Sequence, residues 1–273
     1  MNGVEQESIV RIDGNRPGKT LAVFCGIHGN ERVGVQAVDE LRQEISIETG
    51  TVYFVYGSPI AIARNARFIE KNLNRAFVRH NDGTSYEDIR ARELMQLLDQ
   101  VDALLDVHAS NTPGATPFVI YEEPAADFVS YLDFDITSTG WDAVEPGAAD
   151  GYMFRQGKPG VCIECGCVDD GGTHKQLAKD SIRKFLAYHG AVAGDLTHRR
   201  QQRKFQVYKA IVKEDESFTY TKQYEDFEFL PDRTCFAWDK DQKYCVDVDS
   251  AIVFATDKGV GEEVGVLGRW LSE

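Results

Sequence analysis

Leu21-Ala22-Val23-Phe24-Cys25-Gly26-Ile27-His28-Gly29-Asn30-Glu31 runs from an unbroken apolar segment into a His-x-x-Glu pair. Apolar residues throughout Leu21 to Cys25, closed by glycine, suit a strand buried on both faces of a sheet. Beyond Glu31, Val38, Leu41 and Ile45 recur at helical spacing, which predicts a helix from Glu31 to Glu44. His28 and Glu31 therefore sit where a strand ends and a helix begins. Open α/β sheets place their ligand crevice at such junctions. Three residues apart, the two side chains can reach one point, as two ligands of one metal ion must. The pair predicts two of three zinc ligands in a hydrolase.

On either side of that turn, strand and helix patterns alternate. Ser8 to Asp13 reads as an edge strand and Asn15-Arg16-Pro17-Gly18 as a turn. Thr51 to Tyr56 is β-branched and aromatic, a further strand. Pro59 to Arg67 reads as a connection. Glu87 to Val101 predicts a helix with Leu94, Leu97, Leu98 and Val101 on one face. Ala103 to His108, Phe118 to Tyr121 and Gly160 to Glu164 read as strands. Pro124 to Leu132 and Thr173 to His189 read as helices. Asp133 to Asp150 lacks a pattern and reads as an irregular insert near the site. Alternation of this kind predicts an α/β domain over residues 1–194, a mostly parallel or mixed sheet with helices on both faces. Gly194 to Arg203 reads as a linker. Residues 204–273 carry short β-prone runs at Val207–Val212, Phe227–Leu230, Cys235–Trp238, Tyr244–Val248 and Ile252–Ala255. They predict a small C-terminal all-β domain.

The formal net charge of -14 argues against a nucleic-acid or anionic-membrane partner, either of which needs a basic face. An anionic substrate would need a local basic pocket. Met1 to Arg11 is polar, and no apolar run approaches the ~20 residues of a membrane helix. The expectation is a cytoplasmic protein whose six cysteines are reduced. Homo-oligomerisation is left open. His80, His174, His189 and His198 have no evident partners and read as surface residues.

Zinc hydrolase sites take three protein ligands and keep a position for water. The remote candidate is His108, which also ends a predicted central strand. Alone, His28 would read as a loop residue and His108 as a core histidine; together with Glu31 they read as a ligand set. Glu164 ends its strand too. A carboxylate placed directly after Val161-Cys162-Ile163 is costly to bury without a role, so Glu164 reads as a general base beside metal-activated water. Asn74 and Arg75 can fix a substrate carboxylate, since guanidinium offers a planar fork. Arg67 can stabilise a developing oxyanion.

Gly26-Ile27-His28-Gly29-Asn30-Glu31, Asn72-Leu73-Asn74-Arg75, Asp106-Val107-His108 and Ile163-Glu164-Cys165-Gly166 occur in the order and approximate spacing of one family. The chain resembles the succinylglutamate desuccinylase/aspartoacylase family, within the zinc carboxypeptidase-like superfamily. The motifs span roughly residues 20–170, and the β-rich tail fits the family's second domain. The resemblance implies an amidohydrolase with one zinc ion per chain that removes an acyl group from a small anionic acyl-amino acid. It implies His28, Glu31 and His108 as zinc ligands, Glu164 as base, Arg67 on the scissile carbonyl, and Asn74 with Arg75 on a substrate carboxylate. Arg155 is a further candidate anchor.

The chain departs from the family at Asn72, where aspartate is usual. That aspartate orients a zinc-binding histidine; asparagine can accept the same hydrogen bond without the charge, and Asp106 is the alternative support. Two other readings compete: a carboxypeptidase-like metallopeptidase, and a non-catalytic binding protein that retains the fold. Cys162 and Cys165 also form a Cys-x-x-Cys, but strand alternation puts them on opposite faces, so they read as buried small hydrophobes.

Overall fold

The computed structural model describes residues 8–112, 114–167, 172–197 and 201–272. In chain order the elements are β1 (Ile9–Asp13), β2 (Arg16–Cys25), α1 (Arg32–Glu44), β3 (Thr49–Tyr56), α2 (Pro59–Arg64), α3 (Tyr86–Leu98), β4 (Ala103–Ser110), β5 (Phe118–Tyr121) and α4 (Ala126–Val129). There follow β6 (Ile136–Thr139), α5 (Trp141–Val144), α6 (Ala149–Phe154), β7 (Gly160–Cys167) and α7 (Thr173–Tyr188). The remainder is β8 (Arg203–Val212), β9 (Thr219–Tyr220), β10 (Glu228–Leu230), β11 (Cys235–Trp238), β12 (Lys243–Cys245), β13 (Ser250–Val253) and β14 (Glu263–Trp270). Two compact units form: the chain up to Asp135 with Pro146–Gln202, and Ile136–Glu145 with the chain from Arg203.

In the first unit the strands run β1-β3-β2-β4-β7-β5. Neighbours β3, β2, β4 and β7 are parallel, while β1 and β5 flank them antiparallel. Alternation along β2 sends Leu21, Val23 and Cys25 into one core with Val38 and Leu41 of α1 and Ile182 and Phe185 of α7. Ala22 and Phe24 enter the opposite core, with Ala91, Leu94 and Leu98 of α3 and Met153 of α6. Both faces of the central strands are thus dry, which is why they read as continuous apolar runs. Along β4 the second face carries Leu104, Asp106 and His108, all buried. Their polar groups emerge toward the carboxyl end of the sheet. Helix α3 starts at a capping box in which the Ser85 hydroxyl accepts from Asp88 N and the Asp88 carboxylate accepts from Ser85 N.

The second unit has a sheet ordered β6-β8-β14-β13-β10 and a three-stranded sheet β12-β11-β9. Phe218, Tyr224, Leu230, Phe236, Ile252 and Leu267 fill its core. Among the described residues no helix is long and apolar enough to cross a membrane.

Several local expectations are corrected. Arg16–Gly18 belongs to β2, Arg16 pairing with Thr49, because exposed polar residues can extend a strand that begins outside the core. Pro59–Arg64 is a helix, with proline at its first position, where no amide is needed. Residues 133–150 are not an irregular insert: Ile136–Thr139 pairs in parallel with Arg203–Gln206, and α5 and the start of α6 follow. Strands β9 and β14 add three pairings, β9 with β11 and β14 with both β13 and β8; Gly265 and Gly268 interrupt the apolar pattern of β14.

Cys235 and Cys245, expected as thiols, form a disulfide, since they face one another across the antiparallel β11–β12 pair. Cys25, Cys162, Cys165 and Cys167 are free and buried. Cys165 packs in the α1/α7 core with Val161 and Ile163. Burial pushes the thiols of Cys25, Cys162 and Cys165 well up. Of the histidines expected at the surface, His80 is exposed. His174 is half-buried and its Nδ1 lies 2.7 Å from the Cys167 carbonyl oxygen. His198 lies outside the described residues.

His189 is a further correction. It is 8% exposed and edges against Phe185 and Tyr188, with ring centroids 4.8 and 5.0 Å away. The helical period places it one step past the last turn of α7, facing inward. Lys19 Nζ donates to its Nδ1 at 3.3 Å, leaving a buried Nε2 without a partner. Burial, reinforced by Lys19, pulls the ring's pKa down to about 4 from an ordinary 6.5. The neutral ring's contribution to stability is complete above the unfolded value and is lost as pH falls toward the folded one. Between pH 6.5 and 4 the chain is expected to lose about 3 kcal/mol more stability than His189→Phe. Denaturant unfolding of both proteins across that range checks it; parallel pH profiles would rule the ring out as the source.

Candidate metal centre

The β2-to-α1 turn is shaped by two glycines. Gly26 adopts φ +63°, and a Cβ there would stand 2.5 Å from the Ile62 side chain. A Cβ on Gly29 would stand 2.1 Å from the Ala61 carbonyl carbon, so the turn lies directly on α2. Gly29 N also donates to Arg67 O at 3.2 Å, tying the segment after α2 to this turn. Glu31 occupies the N-cap position of α1, yet its side chain makes no capping bond. Its carboxylate turns instead toward the two histidines.

His28 Nδ1 lies 2.6 Å from Glu31 Oε1, and His108 Nδ1 lies 3.0 Å from Glu31 Oε2. The Ala109 amide donates to that same Oε2 at 3.2 Å. The outward-facing nitrogens are also held. His28 Nε2 is 2.9 Å from Asn72 Oδ1, and His108 Nε2 is 3.1 Å from Asp106 Oδ2. With protons on both Nε2 atoms, both Nδ1 lone pairs point at one spot beside a carboxylate. Supporting acceptors of this kind fix tautomer and ring orientation in metal sites. His28, Glu31 and His108 are all buried, and one ligand atom from each lies within 4.8 Å of the others. Two imidazoles and a carboxylate converging in this way form a donor set able to hold a metal ion.

Asn72 supplies the acceptor that its aspartate counterpart would. Its Oδ1 receives two donors, His28 Nε2–H and Asn74 N–H, the latter at 2.9 Å. The backbone donor fixes which end of the amide is oxygen. The charge sits on the other histidine, whose partner is Asp106, fully buried on the same strand face. Burial lowers the His28 pKa, against the pull of Glu31. Burial also works to lower His108, but Asp106 and Glu31 outweigh it and hold it well above its ordinary value. Glu31 is disfavoured as an anion by burial, yet the two imidazoles keep it well below the usual carboxylate range. The polar cluster therefore calls for positive charge at its centre, and a divalent cation can supply it in place of the His108 proton.

Glu164 stands next to His108 in the parallel β4–β7 register, so the two side chains share a face. It alone on β7 is half-exposed, every other residue of the strand being buried. Arg67, 44% exposed, donates from Nη1 to Glu31 Oε1 at 3.1 Å. Asn74 and Arg75 lie in a short 3-10 turn, Leu73–Arg75, with Arg75 Nη1 donating to the Asn74 carbonyl at 2.9 Å. Asn74 Oδ1 is buried without a partner. Arg155 is exposed and donates to Phe77 O at 2.8 Å.

One residue of the surroundings was not named by the sequence. Asp150 is buried in α6, where burial and the Asp106 charge push its carboxyl up to about 7. It falls in Ala-Ala-Asp-Gly-Tyr, which has no periodic or motif signal to single it out.

Residues 17–189 match the family model described as succinylglutamate desuccinylase/aspartoacylase catalytic domain. The chain belongs to this family. A probable aspartoacylase from Prochlorococcus marinus is 31% identical over 117 residues, 40% of this chain and 40% of that protein. A succinylglutamate desuccinylase from Pseudomonas aeruginosa is 36% identical over 85 residues, 29% of this chain and 26% of the relative. The matched stretches thus span well under half of either family member's length. The crystal structure of a family protein, a succinylglutamate desuccinylase from Vibrio parahaemolyticus, superposes with a TM-score of 0.80 at 18% identity. That match covers 97% of this chain and 86% of the other, and shows the shared fold.

Proposed function

We propose that this family member is a zinc-dependent amidohydrolase that cleaves the amide bond of an N-acyl amino acid, succinylglutamate- or N-acetylaspartate-like. The observation that carries the proposal is the convergence of both Nδ1 atoms on Glu31, with each Nε2 backed by its own acceptor. His28, Glu31 and His108 would hold the ion. Bound there, zinc would supply Lewis acidity, lowering the pKa of water from about 15.7 to about 7.

The chain's own residues do the rest. Glu164 accepts the proton of the attacking water and returns it to the leaving amine. Its position beside His108, in the one opening of an otherwise buried strand, supports this role. Arg67 sits at the rim and offers its guanidinium to the oxygen on which negative charge develops. Asn74 and Arg75 bind the substrate carboxylate, Arg75 through its guanidinium fork and Asn74 through its amide NH2 group. The catalytic work is assigned to residues 1–194, with 204–273 as a separate β-rich domain. In a chain of net charge -14, these arginines make the local basic pocket that a small anionic substrate requires.

Zinc content of the purified protein, with a screen of N-acyl amino acids and short peptides read by amine release, tests the proposal. One zinc per chain and release from N-acyl acidic amino acids are expected. C-terminal residues released from peptides alone would indicate a carboxypeptidase-like enzyme. Failure to take up zinc would remove the mechanism.

A further inference from the structure

Helix α3 carries a carboxylate that the mechanism above does not use. Glu87 is completely buried and forms no ion pair among the described residues. An acid in the first turn of a helix ordinarily faces water, where it meets the helix's free amides. Glu87 instead faces a loop. Its Oε1 accepts from Ile69 N at 2.7 Å, and its Oε2 accepts from Glu70 N at 3.2 Å and from Lys71 N at 3.3 Å. Three consecutive amides turned toward one anion form a concave backbone nest. A buried carboxylate tolerates its lost hydration only when donors of this kind replace water.

The gripped residues lie immediately before the site. Asn72 follows Lys71 and accepts from His28 Nε2, while Asn74 and Arg75 follow in the 3-10 turn. Further ties hold the loop to the same helix, among them the Tyr86 amide donating to the Glu70 carboxylate. Lys71 Nζ contacts Asp88 Oδ1 at 2.7 Å, and Leu73 and Phe77 pack with Ala91 and Leu94. Glu87 is the tie that acts on the backbone, so it sets where Asn72 stands relative to His28.

We propose that Glu87 is a positioning residue: its buried carboxylate clamps the amides of residues 69–71 and so sets both the His28 support and the Asn74–Arg75 anchor. The assignment rests on the zinc amidohydrolase reading for its kinetic consequence, but the clamp itself can be observed without substrate or metal.

Amide hydrogen exchange on the metal-free wild type is the first measurement. Amides 69–71 are expected to be protected to the level of α3 rather than to exchange as a surface loop does. Glu87→Gln keeps the size of the side chain but turns an NH2 group toward an amide donor. It is expected to lose protection at 69–71 while β3 and the body of α3 keep theirs. In chelator competition its zinc affinity falls roughly tenfold, and the KM of the best acyl-amino acid rises about tenfold with kcat changed little. Glu87→Asp, which retains the charge, recovers part of both effects and serves if the glutamine variant is too unstable to assay. Fast exchange of amides 69–71 in the wild type overturns the clamp. So does a folded Glu87→Gln protein with unaltered exchange, zinc affinity and KM. A wild type that shows the protected amides but binds no zinc overturns the enzymatic reading instead, which keeps the two failures apart.

Discussion

Glu164→Gln is expected to bind one zinc ion as the wild type does and to hydrolyse its substrate about a thousandfold more slowly. Glutamine has nearly the same shape, so the β4–β7 pairing that sets residue 164 next to His108 is retained. What disappears, on the proposed mechanism, is the capacity to take a proton from water and hand it to the departing amine. Because that exchange occurs in the transition state, kcat should fall and KM should move little. Residue 164 is already half-exposed, so thermal stability should be almost unchanged. Steady-state kinetics with metal analysis on the same preparation decides the matter. Equal turnover in the variant would leave Glu164 as a strand-end carboxylate in solvent and move the base elsewhere.

His108→Ala should have the other large effect, and on two observables at once. Removing the imidazole takes away one proposed Nδ1 ligand and strands two buried carboxylates, Asp106 and Glu31, both of which it contacts. Breaking a buried charged pair in this way costs about 3 kcal/mol, or a fall of roughly 10 °C in the unfolding midpoint. Added zinc should raise the midpoint of the wild type, since a ligand present at about 100 times its Kd contributes about 2.7 kcal/mol. It should leave the variant's midpoint where it was. Dialysed His108→Ala that still carries one zinc per chain would take His108 out of the ligand set, whatever its effect on stability.

Much of the candidate metal cluster was legible because it obeys local rules. His28 and Glu31 stand three residues apart at a strand-to-helix turn, and His108 ends an apolar strand two residues after Asp106. Spacing of that kind constrains direction: Asp106 and His108 share a face because side chains on a strand alternate. Glu164 was legible for the same reason, as a charge after three apolar residues. The core strands were read from continuous hydrophobicity, whereas polar extensions such as Arg16–Gly18 and glycine-broken strands such as β14 carried no such pattern.

Other features depend on contacts between residues far apart in the chain. Asn72 looked like a weakened support, and its oxygen turns out to take both His28 Nε2–H and Asn74 N–H. Glu87 lies in the first turn of a helix, and the amides that surround its carboxylate come from residues 69–71 of a separate loop. His189 had no partner in sequence because Lys19 lies 170 residues away. Cys235 and Cys245 meet only through the pairing of β11 with β12.

Periodicity and short-range spacing act within a few residues of chain, and they were enough for the family resemblance, the α/β order of the first 190 or so residues and the metal-binding candidates. Which nitrogen of each histidine faces the centre, what stands behind the other, and what holds the loop that bears Asn72 emerge with the folded chain. Those outcomes are set by hydrogen bonds closed across the fold, whose partners no local spacing can specify.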